Sequence, residues 1–231
     1  GGLSALSVLQ IELNSIAGSL PSTIGSLINL VNLKAKENSF VGTLPSSIGL
    51  LTKLTYLSLE NNGLTGAIPA TIGSLQMLEY LRLFSNSFTS LPDSVGSITN
   101  LLQVYVSVNK IVGTIPSSLG SLAKVQYLYL HTNSFSNTIP SSLGSMSSLL
   151  AMRIDRNKLI GTIPSMMGAY SGLIAFYVNG NSLNGQIPAA IGSLSTLEAF
   201  LAYDNGLTGN IPSTFSQLTS LKDLRVHMTS M

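Results

Sequence analysis

Apolar residues recur along the chain in one fixed figure. Its clearest copy reads Leu54-x-x-Leu57-x-Leu59-x-x-Asn62-x-Leu64-x-Gly66-x-Ile68-Pro69-x-x-Ile72-Gly73-x-Leu75. Apolar and variable positions alternate from Leu57 onward, which predicts a short strand with apolar residues inward and variable ones outward. The alternation stops at Asn62, where a turn-like corner is expected. Gly66 belongs to a series, Gly18, Gly42, Gly66, Gly113, Gly161, Gly185 and Gly209, suited to backbone with positive φ or a close approach. The Ile72-Gly73-x-Leu75 piece fits a short helical or 3-10 turn on the far side.

The figure repeats with a nearly constant period. Pro21, Pro45, Pro69, Pro92, Pro116, Pro140, Pro164, Pro188 and Pro212 are the nine prolines of the chain, spaced 24, 24, 23, 24, 24, 24, 24 and 24 residues apart. Proline donates nothing to a ladder, so these positions lie where a missing N–H costs nothing. In step run Asn14, Asn38, Asn62, Asn86, Asn109, Asn133, Asn157, Asn181 and Asn205. They are read as a structural ladder whose amides satisfy backbone groups of the neighbouring turn. The single 23-residue step lies between Asn86 and Pro92, where the glycine of the figure is missing. A period of this size means a solenoid, each unit stacked only on its neighbours.

This L-x-x-L-x-L-x-x-N-x-L-x-G-x-I-P pattern, held over essentially the whole chain, resembles the leucine-rich repeat family and, within it, the plant-type subclass. The resemblance implies an α/β-type repeat solenoid: a curved right-handed superhelix with a ten-strand parallel sheet on its concave face and short 3-10 or irregular segments on its convex face. Residues 1–231 are read as a single array of about nine 24-residue repeats plus a partial one. Relatives such as receptor-like kinase ectodomains, receptor-like proteins and polygalacturonase inhibitors carry Cys-containing caps, and this chain has no Cys. The expectation is therefore an uncapped, association-prone fragment of a longer protein. Family habit also implies recognition of proteins, peptides or cell-wall sugars at the cell surface or outside the cell.

Composition narrows the chemistry. Zero Cys excludes a disulfide scaffold, Cys-ligated zinc and a cysteine nucleophile. A net charge of +2 gives no field for nucleic acid. Mean hydropathy is high at +0.41, yet the longest unbroken apolar run, Leu173–Val178, falls far short of the ~20 residues of a spanning helix. Two histidines four strands apart cannot share an ion, and no phosphate-binding glycine loop occurs. No cofactor or metal is expected, and no catalytic residue.

Function, if written anywhere, lies in the outward strand positions, taken as six, four, two and one residues before each ladder Asn. They hold 12 of the 20 charged residues and seven of the eight tyrosines. Tyr and Arg are the residues of binding hot spots. The densest stretch is central. One column reads Arg82, Tyr105, Tyr129, Arg153, Tyr177; beside it run Phe84, Ser107, His131, Asp155, Asn179; Tyr80 and Tyr127 flank them. The candidate ligand-binding set is Tyr80, Arg82, Phe84, Tyr105, Tyr127, Tyr129, His131, Arg153, Asp155 and Tyr177. It is read as an aromatic floor with two guanidinium forks, suited to an extended peptide with an acidic group that Arg can grip bidentately, or to a sugar chain stacking on rings. Ser107, His131 and Asp155 stand in triad order, but a smooth sheet supplies neither an oxyanion hole nor exclusion of water. An exposed His131–Asp155 pair giving pH-sensitive binding is the expectation there. The whole is read as a non-enzymatic module for a protein or peptide. Polysaccharide binding is the alternative, and a structural or adhesive array a third; outward columns that vary from copy to copy count against the latter.

Overall fold

The structure is a computed structural model and describes residues 2–227. Ten three-residue strands, one per repeat, form a parallel sheet in chain order. They are β1 (Val8–Gln10), β2 (Asn32–Lys34), β3 (Tyr56–Ser58), β4 (Tyr80–Arg82) and β5 (Gln103–Tyr105), then β6 (Tyr127–Tyr129), β7 (Ala151–Arg153), β8 (Ala175–Tyr177), β9 (Ala199–Leu201) and β10 (Asp223–Arg225). Every pairing keeps equivalent residues opposite each other, as in Leu57 against Leu81 or Leu128 against Met152. The central residue of each strand points inward because strand side chains alternate faces. Leu33, Leu57, Leu81, Val104, Leu128, Met152, Phe176 and Phe200 are all buried, one above the next, in a single core.

Opposite this sheet, each proline is followed by one turn of 3-10 helix, such as Ser46–Leu50 and Ser117–Ser121. Its apolar residues, Ile48 and Leu119, close the core from behind. Gly120 is fixed by a neighbour: a Cβ there would lie 2.3 Å from the carbonyl oxygen of Ser142 in the next repeat. A hydroxyl ladder ties these turns together. Ser47, Thr71, Ser94, Ser118 and Ser142 each donate to a carbonyl of the preceding repeat at 2.6–2.7 Å. Met166 and Ala190 interrupt it, and Thr214 resumes it on Ala189.

The asparagines form the inner ladder. Asn62 is representative: its Nδ2 donates to the carbonyls of Leu59, Glu60 and Ala35 at 3.1–3.2 Å, and its Oδ1 accepts the N–H of Phe40 at 3.0 Å. From Asn38 to Asn205 each amide thereby closes its own corner and locks the preceding repeat, while Asn14 closes its own corner alone. The residue before the Asn, expected as an outward strand position, is not part of the strand. Leu13, Glu37, Asn61, Ser85, Val108, Thr132, Arg156 and Asp204 all take φ between 53 and 59°. These are left-handed corners, uncommon for residues with a Cβ.

Between the corner and the proline the chain pairs again, forming sheet where irregular backbone was expected. Ala17–Ser19, Ser39–Thr43, Gly63–Ala67 and Ser87–Ser90 make a four-stranded sheet. Val112–Thr114, Ser134–Asn137, Lys158–Gly161, Ser182–Gly185 and Gly206–Leu207 make a five-stranded one. The division falls at the 23-residue repeat. With one residue missing, the pairing slips so that Ala67 faces Ser90, and beyond it Lys110 N–H meets the Phe88 carbonyl at 2.9 Å without a ladder forming. In the one full-length repeat that also has no glycine at this place, Asn137 supplies the left-handed conformation, φ 63°, which Asn tolerates better than most residues.

Candidate recognition face

The outer side of the ten-stranded sheet brings the central candidates together. Arg82, Tyr105, Tyr129, Arg153 and Tyr177 stand in register on β4 to β8. Strands lie about 4.8 Å apart, and the rings stack at that interval: Tyr105 and Tyr129 have centroids 4.5 Å apart and planes 6° from parallel. Tyr127 meets Tyr129 edge-on at 6.2 Å, and Phe84 meets Tyr105 edge-on at 6.5 Å. Tyr80 packs at 5.1 Å on Tyr56, a residue outside the candidate set. Burial dominates the electrostatics of this floor. It pushes the Tyr105 phenol up to about 12, aided by Tyr129 and partly offset by Arg82, and it raises Tyr129 as well. Both of these phenols are neutral at physiological pH.

The two guanidinium forks are not free. Arg82 gives Nε and Nη2 to Gln103 Oε1 at 3.2 and 2.7 Å. Its cation lies 5.3 Å from the Tyr56 ring centre and 5.6 Å from that of Tyr105, a favourable cation–π arrangement. Arg153 gives Nε and Nη2 to the two oxygens of Asp155 at 3.2 and 3.3 Å and lies 5.1 Å from the Tyr177 ring centre. Neighbours on the sheet therefore already hold both side chains in place.

The expected exposed His131–Asp155 pair is absent. Asp155 is buried, with its side chain 3% exposed, and its carboxylate belongs to Arg153. His131 Nδ1 instead meets Thr132 Oγ1 at 3.2 Å. The physical reason is the column. Short or inward-bent side chains two before the Asn lie low on the outer face: Glu60, Asp155 and Asn179 are buried, and so is Ser107 at the floor of an opening. Burial, then the charge of Arg153, lowers the His131 imidazole to about 4, against the opposing pull of Asp155. His131 is an uncharged ring at neutral pH.

Above Ser107 the face opens into a cleft of about 370 Å³, lined by Phe84, Ser85, Tyr105, Ser107, Val108, Tyr129, His131 and Arg153. Ser85, Ser107 and Val108 were not among the sequence candidates. Ser107 carried a signal, since it is the small residue in a column otherwise filled by Phe84, His131, Asp155 and Asn179. Val108 carried none, because its place follows from the corner conformation. Tyr170, the one tyrosine off the outward positions, is buried in the core with its hydroxyl donating to the Leu143 carbonyl at 2.8 Å. A second hollow, about 510 Å³, lies away from this face, against Gln186, Gly209 and Ile211. Among the described residues no group of three or more His, Cys, Asp or Glu converges as a metal site, and no helix is long and apolar enough to cross a membrane.

Parallel strands in register, 3-10 turns behind them and an asparagine at every corner define a solenoid built from one repeated unit. The chain belongs to the leucine-rich repeat family: the family description of a leucine-rich repeat region matches residues 45–169, just over half its length. No curated protein matches the sequence. Among solved structures, it is similar to the plant peptide hormone receptor RGFR1 in complex with RGF2, with 33% identity and a TM-score of 0.95 over 98% of this chain and 37% of that one. It is also similar to the ectodomain of the Arabidopsis receptor kinase HAESA in complex with an IDA peptide hormone, with 32% identity and a TM-score of 0.90 over 99% of this chain and 39% of that one. The chain thus spans under two-fifths of the length of these receptors. A plant ice-binding protein shares the fold at 21% identity and a TM-score of 0.71, over 91% of this chain and 77% of that one.

Proposed function

We propose that the chain is a non-enzymatic recognition module that binds a peptide or a protein segment across β4 to β8 of the ten-stranded sheet. The observation that carries this reading is the concentration there of half-buried tyrosines around a cleft, in a column whose two arginines are already held by Gln103 and Asp155. Such a surface is pre-organised, so little ordering entropy opposes binding. Its aromatic and guanidinium content is that of interface hot spots. The plant receptors similar to this chain are complexes with peptide hormones, which supports the same ligand class. The same relatives, a hormone receptor and a receptor-kinase ectodomain, support a cell-surface or extracellular setting.

The test is a binding screen of the protein against a random linear peptide library and a panel of plant and algal glycans. The variant Tyr105→Ala/Tyr129→Ala/Arg153→Ala/Tyr177→Ala runs in parallel, with its folding checked by circular dichroism. A peptide hit weakened at least tenfold in the variant supports the proposal. A glycan hit lost in the variant makes the face a polysaccharide site instead. A peptide hit that the variant retains moves recognition off this face and overturns the proposal, and so does a screen without hits.

A further inference from the structure

The cleft has the shape of a missing ring. In the column two before the ladder Asn, Phe84 and His131 stand on either side of Ser107, with one strand step between each pair. The backbone confirms their order, since Ser85 N–H donates to the Ser107 carbonyl and Val108 N–H to the His131 carbonyl. Two strand steps place the walls about 9.6 Å apart, and Ser107 leaves the space between them empty. In the next column the position corresponding to Ser107 is filled: Tyr105 stacks on Tyr129 at 4.5 Å. Rings one strand apart in an outer column of this sheet meet at 4.5–5.1 Å, stacked in Tyr105–Tyr129 and tilted in Tyr56–Tyr80, and a ring above Ser107 would lie one strand step from both Phe84 and His131.

The lining also carries no free charge. Arg153, at the cleft edge, is neutralised by Asp155. Tyr129 and His131 meet as uncharged rings at 6.2 Å. Val108, 42% exposed, adds an apolar rim. The polar groups of the lining are the hydroxyls of Ser85, Ser107, Tyr105 and Tyr129, the imidazole of His131 and the outer edge of Arg153, set among the faces of four rings.

Building on the recognition reading above, we propose that the Ser107 cleft is an anchor slot for one uncharged aromatic side chain of the bound peptide, which inserts between Phe84 and His131 and completes their column. Ser107 sets this specificity by being small. The slot selects Phe, Tyr or Trp over acidic, basic or short aliphatic side chains, because an aromatic face gains stacking contacts that a charged group would forfeit along with its hydration.

The experiment uses p-cresol and indole as probes, titrated into isotope-labelled protein while the resonances of Ser107 and His131 are followed by NMR. Benzoate, butylamine and cellotetraose serve as comparators. Saturable shifts with p-cresol and indole, at least tenfold weaker or absent with the charged probes and the glycan, are the expected result. In Ser107→Phe, which fills the slot from within, these shifts should vanish. Ser107→Ala should keep them, and Phe84→Ala should weaken them several-fold. Equal response to the charged probes, a stronger response to cellotetraose, or p-cresol shifts that survive in a folded Ser107→Phe would overturn the slot. A library peptide that loses affinity in the four-residue variant but binds Ser107→Phe undiminished would overturn the slot and leave face recognition standing. Probe binding in the slot without any peptide hit would do the reverse.

Discussion

At the residue scale, conformation and charge are set by neighbours that lie 24 residues away as much as by adjacent ones. His131 shows the consequence. The unfolded imidazole takes up a proton near pH 6.5, whereas burial and Arg153 hold the folded one down to about 4. The unfolded state therefore binds more protons across this window, and stability is lost as pH falls from about 6.5 toward 4. The groups that face the ring are Arg153, Asp155 and Arg156. Thermal melts at pH 7 and pH 4.5 should show a fall for the wild-type chain and a smaller fall for His131→Gln. Equal falls would place the acid sensitivity elsewhere. The sequence showed that His131 stands in an outward column with Asp155, but not which group each would engage. Arg153 reaches Asp155 two residues further along its own repeat, and side-chain reach of this kind is not written in periodicity.

At the element scale, the strand, corner and 3-10 turn of each repeat were legible because each has a periodic signature: alternation, Asn, and Pro followed by Ile-Gly. The second sheet was not. Segments such as Ser134–Asn137 have no clean alternation, and they pair because stacking puts equivalent backbones side by side. The glycine of Ile-Gly was read as part of a turn, whereas its tightest constraint comes from the following repeat. Gly120→Ala tests this. Its Cβ would meet the Ser142 carbonyl oxygen at 2.3 Å, so the two turns must separate, and overpacking of this kind costs about 1–3 kcal/mol. Chemical denaturation should register that loss. Unchanged stability would mean that the turns are not held at this distance.

At the scale of the whole molecule, the architecture was the most legible feature and the cleft the least. Ten strands follow from counting repeats. The cleft needs the relation of Phe84, Ser107 and His131 across three strands together with the corner at Val108, and only Ser107's small size hinted at it. The one irregular step in the proline series also had a larger structural outcome than its single residue suggested: it divides the second sheet into four strands and five. Inserting a glycine between Thr89 and Ser90 restores the period and should join the two sheets. Each ladder bond gained contributes about 0.5–1.5 kcal/mol, so amide hydrogen exchange between Ser87 and Thr114 should slow. No change in exchange there would assign the break to the sequence of Val112–Thr114 rather than to the missing residue. The same break shapes how the native molecule bears load. Among the described residues each strand and each 3-10 turn aligns its backbone only with its counterparts in adjacent repeats, so tension applied along the array passes from unit to unit in series. The joint between Ser87–Ser90 and Val112–Thr114 keeps its ten-stranded sheet and its asparagine while lacking the second ladder. It is the weak link of that series, where a stretched molecule would part into a shorter and a longer block rather than unravel from one end.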